Sequence, residues 1–117
     1  MTRASRSTKA RLLDILSSID RIEVAEGRLQ FAEEAADKAA IRVAVDAILY
    51  NLVVIGEAVN ALPEEVLAAA PHVPWREVVG MRNFLAHEYF KVLTVVVRKT
   101  INAPLAQLRN ACEELLD

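Results

Sequence analysis

The chain has 117 residues, enough for one domain with a real core and too few for two. Apolar residues make up 54% but aromatics only 5%, so Ala, Leu and Val supply the apolar content, a balance that suits packed helices better than a twisted sheet. The net charge of −2 argues against a general nucleic-acid coat protein. No run of 18 uncharged apolar residues occurs, and no apolar stretch follows the basic N-terminus, so neither a membrane span nor a signal peptide is expected and a cytoplasmic location is. The single cysteine, Cys112, excludes an internal disulfide and sits in an apolar stripe, which predicts a core thiol.

The charge is unevenly spread. Arg3, Arg6, Lys9 and Arg11 lie in a stretch with no acid, whereas residues 20–70 hold ten acids against four bases. Over residues 76–99 the balance reverses, with Arg76, Arg82, Lys91, Arg98 and Lys99 against Glu77 and Glu88. Contact with phosphate would use that segment and the N-terminal arm. Ordinary solvated surface is the plainer account of both clusters.

Residues 1–8 read as a flexible basic arm ahead of a helical domain over 9–117. The first helix is expected from Thr8 to Ala25, with Leu12, Ile15, Leu16, Ile19 and Ile22 on one face and Gly27 as its end. A short acidic connection, Phe31 to Ala36, should follow. The second helix carries Ile41, Val45, Ile48, Leu52, Ile55, Val59 and Leu62 at 4-3-4-3-4-3 spacing, a continuous packing seam. Val43, Ala47, Tyr50 and Val54 form a second stripe beside it, so this helix is either central in its own fold or shared with a partner chain. Pro63 ends it and starts a short helix, Glu64 to Ala70. Pro71 and Pro74 then bracket a turn with His72 and Val73.

A third long segment is expected to be helical from Trp75 toward Ala86, turning Trp75, Val78, Val79 and Leu85 inward. The last helix should run from about Thr94 to Leu116, with Ile101, Leu105, Leu108, Cys112 and Leu115 at 4-3-4-3 spacing and Pro104 as a kink or second start. Val92 to Val97 has strand-like propensity. These elements make an all-α, up-and-down bundle of four to five helices.

Chemistry concentrates in Arg82-Asn83-Phe84-Leu85-Ala86-His87-Glu88-Tyr89. Taken singly, His87 and Arg82 read as ordinary structural residues. Placing a cation, an amide and an imidazole among apolar neighbours is costly, however, unless they are paired or used. On a regular helix Arg82 and His87 stand roughly 140° apart and share no face, whereas Asn83 and His87 do, at i,i+4. Either the helix breaks between them, or two chains pair and each contributes to a composite site. Histidine is a natural base for a ribose 2′-OH near neutral pH, and arginine a natural clamp for phosphate charge. With two histidines in the chain and no ligand cluster around them, neither a metal site nor a cofactor is expected. Glu57 follows Gly56 within the second helix. It either pairs with Arg82 or a backbone donor, or is a solvated side chain beside a tolerated glycine.

The segments Asp46 to Ala58 and Pro74 to Phe90, the latter containing R-x4-H-x-Y, resemble the signature regions of the HepT-like toxins, which are of HEPN type; the resemblance runs from about Leu12 to Leu116. It implies a homodimeric HEPN bundle whose two motifs meet across the subunit interface. It further implies a metal-independent endoribonuclease toxin neutralised by a minimal nucleotidyltransferase antitoxin. Arg82 and His87 match the catalytic pair, with Asn83 as a supporting polar residue, and Tyr89 matches the acceptor of AMP groups added by the antitoxin. Glu88, Leu93 and Arg98 depart from residues common in the family (Gly, Asp and Trp) but leave R-x4-H-x-Y intact. A non-catalytic helical module that binds a nucleotidyltransferase, and is modified by it, shares the same fold and partner.

Overall fold

A computed structural model describes residues 7–76, 78–79 and 105–117, and all regular structure among them is helical. Helix α1 spans Thr8–Glu34, α2 Lys38–Asn60 and α3 Glu64–Ala68. Residues 75–76 and 78–79 are also helical, as are 105–116.

Helix α1 begins where Ser7, in extended conformation, accepts the Ala10 N–H on its hydroxyl, so Thr8 belongs to the helix rather than to the arm. It buries Leu12, Ile15, Ile19 and Ile22, as their spacing predicts. It does not stop at Gly27. The stripe continues through Ala25, Leu29 and Ala32, all buried, and this burial offsets the roughly 1 kcal/mol that an interior glycine costs. Phe31, expected in the connection, is therefore helical and 74% exposed.

The stop lies at Ala36, whose φ of 55° is left-handed. The Ala36 N–H donates to the Glu33 carbonyl and the Asp37 N–H to the Ala32 carbonyl, a Schellman ending built on alanine instead of glycine. Asp37 then caps α2, its carboxylate accepting the Ala40 N–H at 3.1 Å. Three residues thus turn the chain between two long helices that pack along each other.

The α2 seam lies in the core as its spacing predicts: Val45, Ile48, Leu52, Ile55, Val59 and Leu62 are buried and Ile41 packs against them. α2 is long and apolar enough to cross a membrane by length and composition, a test that core helices also pass. Its second stripe is largely uncovered, with Val43 68% and Tyr50 66% exposed. Helix α3 is two residues shorter than expected. Leu105, Leu108 and Cys112 of the last helical segment fill the core together with Ala111, while Leu115 is partly buried. Residues 1–6, and Ile101, Pro104 and the Val92 to Val97 stretch, lie outside the described residues.

Candidate functional site

Arg82, Asn83, His87 and Tyr89 lie outside the described residues, as do Leu85 and Glu88, so the site is described through the frame on either side of them. Glu57 is the one candidate inside that frame. It is exposed near the C-terminal end of α2, between the buried residues Gly56 and Ala58.

The approach to the motif is anchored by Trp75. Its indole N–H donates to two carbonyls, Leu67 at 3.0 Å and Ala70 at 2.9 Å. Those carbonyls lie at and just past the end of α3 and also accept the backbone N–H groups of Ala70 and Val73 respectively, so the indole adds a further donor to each. The expected inward-facing Trp75 is half-buried, with its polar edge closing the α3 end. The Val78 N–H donates to the Pro74 carbonyl at 3.0 Å, so a helical turn starts at the proline, and Val73 and Val78 are both buried. Val79 is partly buried against the same core. The chain therefore reaches the motif from a fixed point in the core.

On the far side, Arg109 ties the last helical segment to α1. Its Nη2 lies 2.8 Å from Asp20 Oδ1 and 3.0 Å from Glu23 Oε1. The hydrogen bond to Asp20 is the main cause that raises the Arg109 pKa above the usual arginine range, with Glu23 adding to it and partial burial opposing. Cys112, fully buried, has its thiol pushed up to about 12, first by desolvation and then by the nearby Glu113 charge. That thiol is not a nucleophile at neutral pH.

One residue escaped the sequence reading. Asn51 is 5% exposed on the core face of α2; its Nδ2 donates to the Ala47 carbonyl at 2.8 Å, and its Oδ1 has no partner among the described residues. An amide amid Leu49, Leu52 and Val53 was the visible signal, by the same cost argument that singled out Arg82. Among the described residues no group of three His, Cys, Asp or Glu side chains could hold a metal ion.

The family model for "Ribonuclease HepT-like" matches residues 15–115, nearly the whole chain. The chain belongs to the HepT-like ribonuclease family. A Methanocaldococcus jannaschii relative named "Putative RNase MJ0125" is 35% identical over 111 residues, covering 95% of this chain and 92% of the relative. A Thermococcus cleftensis relative named "Probable ribonuclease HepT" is 34% identical over 110 residues, covering 94% and 96%. No solved structure matches. The family match contains the whole R-x4-H-x-Y segment, Trp75 before it and the last helical segment as far as residue 115.

Proposed function

We propose that this chain is a metal-independent endoribonuclease, the toxin of a pair whose antitoxin is a minimal nucleotidyltransferase. The observation that carries the reading is an unbroken Arg82-x4-His87-x-Tyr89 inside a near full-length match to a ribonuclease family. His87 takes the proton from a ribose 2′-OH, and the 2′-oxygen attacks the adjacent phosphorus. Arg82 holds the charge that grows on the phosphate, the P–O5′ bond breaks, and the 5′-oxygen leaves as a hydroxyl with a proton taken from water. Asn83, four residues before His87, orients the imidazole or the phosphate. Glu57 is the supporting carboxylate from α2. A regular helix would leave Arg82 and His87 on different faces, so the reading takes a composite site built by two copies of the chain over a break in the helix.

Transfer of AMP to Tyr89 places phosphate charge and bulk beside Arg82, where substrate phosphate binds, and so switches the enzyme off. A second reading is favoured by Glu88. A fixed negative charge next to the phosphate clamp opposes RNA binding, and a chain kept for partner binding would tolerate it.

One experiment separates the two. Protein purified free of antitoxin and incubated with RNA in EDTA should yield fragments ending in a 2′,3′-cyclic phosphate, and His87→Ala should abolish cleavage with helix content intact. Equal cleavage by His87→Ala would assign the activity elsewhere. An intact RNA pool in both samples would leave the interaction module.

A further inference from the structure

We infer that Trp75 is a positioning residue for the cleavage proposed above: its indole N–H, shared between two carbonyls, sets the direction in which the chain enters the segment bearing Arg82 and His87. The inference rests on that reading and adds to it the group that aims the pair. Between α3 and Val78 the chain has little to hold its course, because Pro71 and Pro74 carry no N–H and cannot join a backbone ladder. What remains is a short series. The Ala70 N–H donates to the Leu67 carbonyl at 3.1 Å, the Val73 N–H to the Ala70 carbonyl at 3.2 Å, and the Trp75 N–H to the Val73 carbonyl at 2.8 Å. Each of these bonds spans three residues or fewer. The indole N–H reaches back over all of them, lying 2.9 Å from the Ala70 carbonyl and 3.0 Å from that of Leu67. Among the described residues it is the one hydrogen-bond donor that ties Trp75 directly to α3.

The bond is more than is needed for folding. Both carbonyls already accept a backbone N–H, so removing the indole donor leaves neither of them bare. The apolar anchors around it, Ala70, Val73 and Val78, are each at most 3% exposed and hold their places by packing. What the indole adds is orientation, since one N–H held between two acceptors fixes the ring as well as the backbone that carries it. The Val78 N–H donates to the Pro74 carbonyl at 3.0 Å, so the turn that starts at the proline inherits the direction set at Trp75. Arg82 and His87 follow Trp75 by seven and twelve residues. A tilt of about 5° at an anchor displaces a group about 10 Å away by roughly 1 Å, and a misplacement of that size can cost about 100-fold in rate. A general base tolerates little, because proton transfer needs hydrogen-bond reach.

The test is cleavage of an end-labelled single-stranded RNA of random sequence in EDTA by the full chain, beside Trp75→Phe, Trp75→His and His87→Ala. Helix content and melting temperature are followed by circular dichroism. Phenylalanine keeps an apolar six-membered ring and has no N–H. Histidine loses the fused ring but carries Nε2 where the five-membered ring of tryptophan carries Nε1. If Trp75 only fills space, activity follows packing and Trp75→Phe is the better enzyme. If it positions, kcat follows the N–H. Trp75→Phe should lose kcat on the order of 100-fold with KM within about threefold of native. Trp75→His should recover much of that kcat while melting below Trp75→Phe. A Trp75→Phe kcat within about threefold of native would overturn the inference, as would a kcat order that matches the melting order. So would lost helix content in Trp75→Phe. A raised KM at unchanged kcat would place the ring against an RNA base and overturn it as well. In each of these cases an inactive His87→Ala keeps the cleavage reading, whereas a native chain without cleavage would overturn both.

Discussion

The backbone N–H of Asp37 donates to the carbonyl of Ala32 at 2.9 Å, and this bond closes one long helix on the residue that opens the next. Asp37 serves both, since its side chain caps α2. The geometry forces Ala36 into a left-handed conformation that costs an L-residue about 1 kcal/mol or more. Ala36→Gly should therefore raise stability by about 0.5–1 kcal/mol, the gain being trimmed by the freer unfolded chain. Asp37→Ala should lower it by about 1 kcal/mol. Urea midpoints at one protein concentration check both, and a lower midpoint for Ala36→Gly would contradict the turn described here.

Arg109 joins helices 89 residues apart in sequence, through one nitrogen shared by two carboxylates. Asp20 and Glu23 are 66% and 61% exposed at their side chains, so water screens most of the attraction. Arg109→Gln should cost no more than about 1 kcal/mol. Most of that difference should vanish at about 1 M NaCl, where the screening length falls to about 3 Å. A salt-independent loss would mean that the arginine stem matters more than its charge.

Much of this frame was legible before any coordinates. The 4-3 seam reads directly as the buried face of α2 from Val45 to Val59, with Ile41 partly buried before it and Leu62 buried just past the helix end. The end of α1 was not legible, because punctuation by glycine is a local rule. Gly27 lies in a helix whose core stripe runs on to Ala32, and packing overrode it. Ala36 took the left-handed position without the residue that usually marks one. Asn51 was hidden by its position, since an amide beside a long apolar seam is read with the seam. For the candidate site, the residue types and their spacing carried the chemistry. On one regular helix Arg82 and His87 would share no face, so spacing alone leaves open a helix break or a second chain as the means of joining them.

The thiol of Cys112 gives a pH signature. Folding raises its pKa from near 9 to about 12, because burial disfavours the thiolate. Between those values the unfolded chain has lost a proton that the folded chain still holds, so stability falls as pH rises through that window. Below pH 9 the contribution is complete and flat. Guanidinium unfolding should show a decline above pH 9 that Cys112→Ala reduces, measured against the smaller cavity cost of that substitution. Native protein at pH 8 should react with a thiol reagent only as fast as it opens. Prompt labelling in the absence of denaturant would place the sulfur at the surface.

Tyr89 offers the cleanest separation between being modified and being catalytic. If AMP is joined to its hydroxyl, incubation with ATP, Mg²⁺ and the cognate nucleotidyltransferase should shift the intact mass by whole multiples of an adenylyl group. Tyr89→Phe removes the nucleophilic oxygen and keeps the ring, so packing should be little changed and the shift should disappear. The other tyrosine, Tyr50, lies outside the R-x4-H-x-Y motif, so a mass shift that persists in Tyr89→Phe would be traced by testing Tyr50→Phe beside it. Cleavage by Tyr89→Phe should persist near the native rate and no longer respond to the transferase, since neither the base His87 nor the clamp Arg82 has been touched. A mass shift retained in Tyr89→Phe would move the acceptor elsewhere, and loss of cleavage in that variant would put the phenol in the reaction itself.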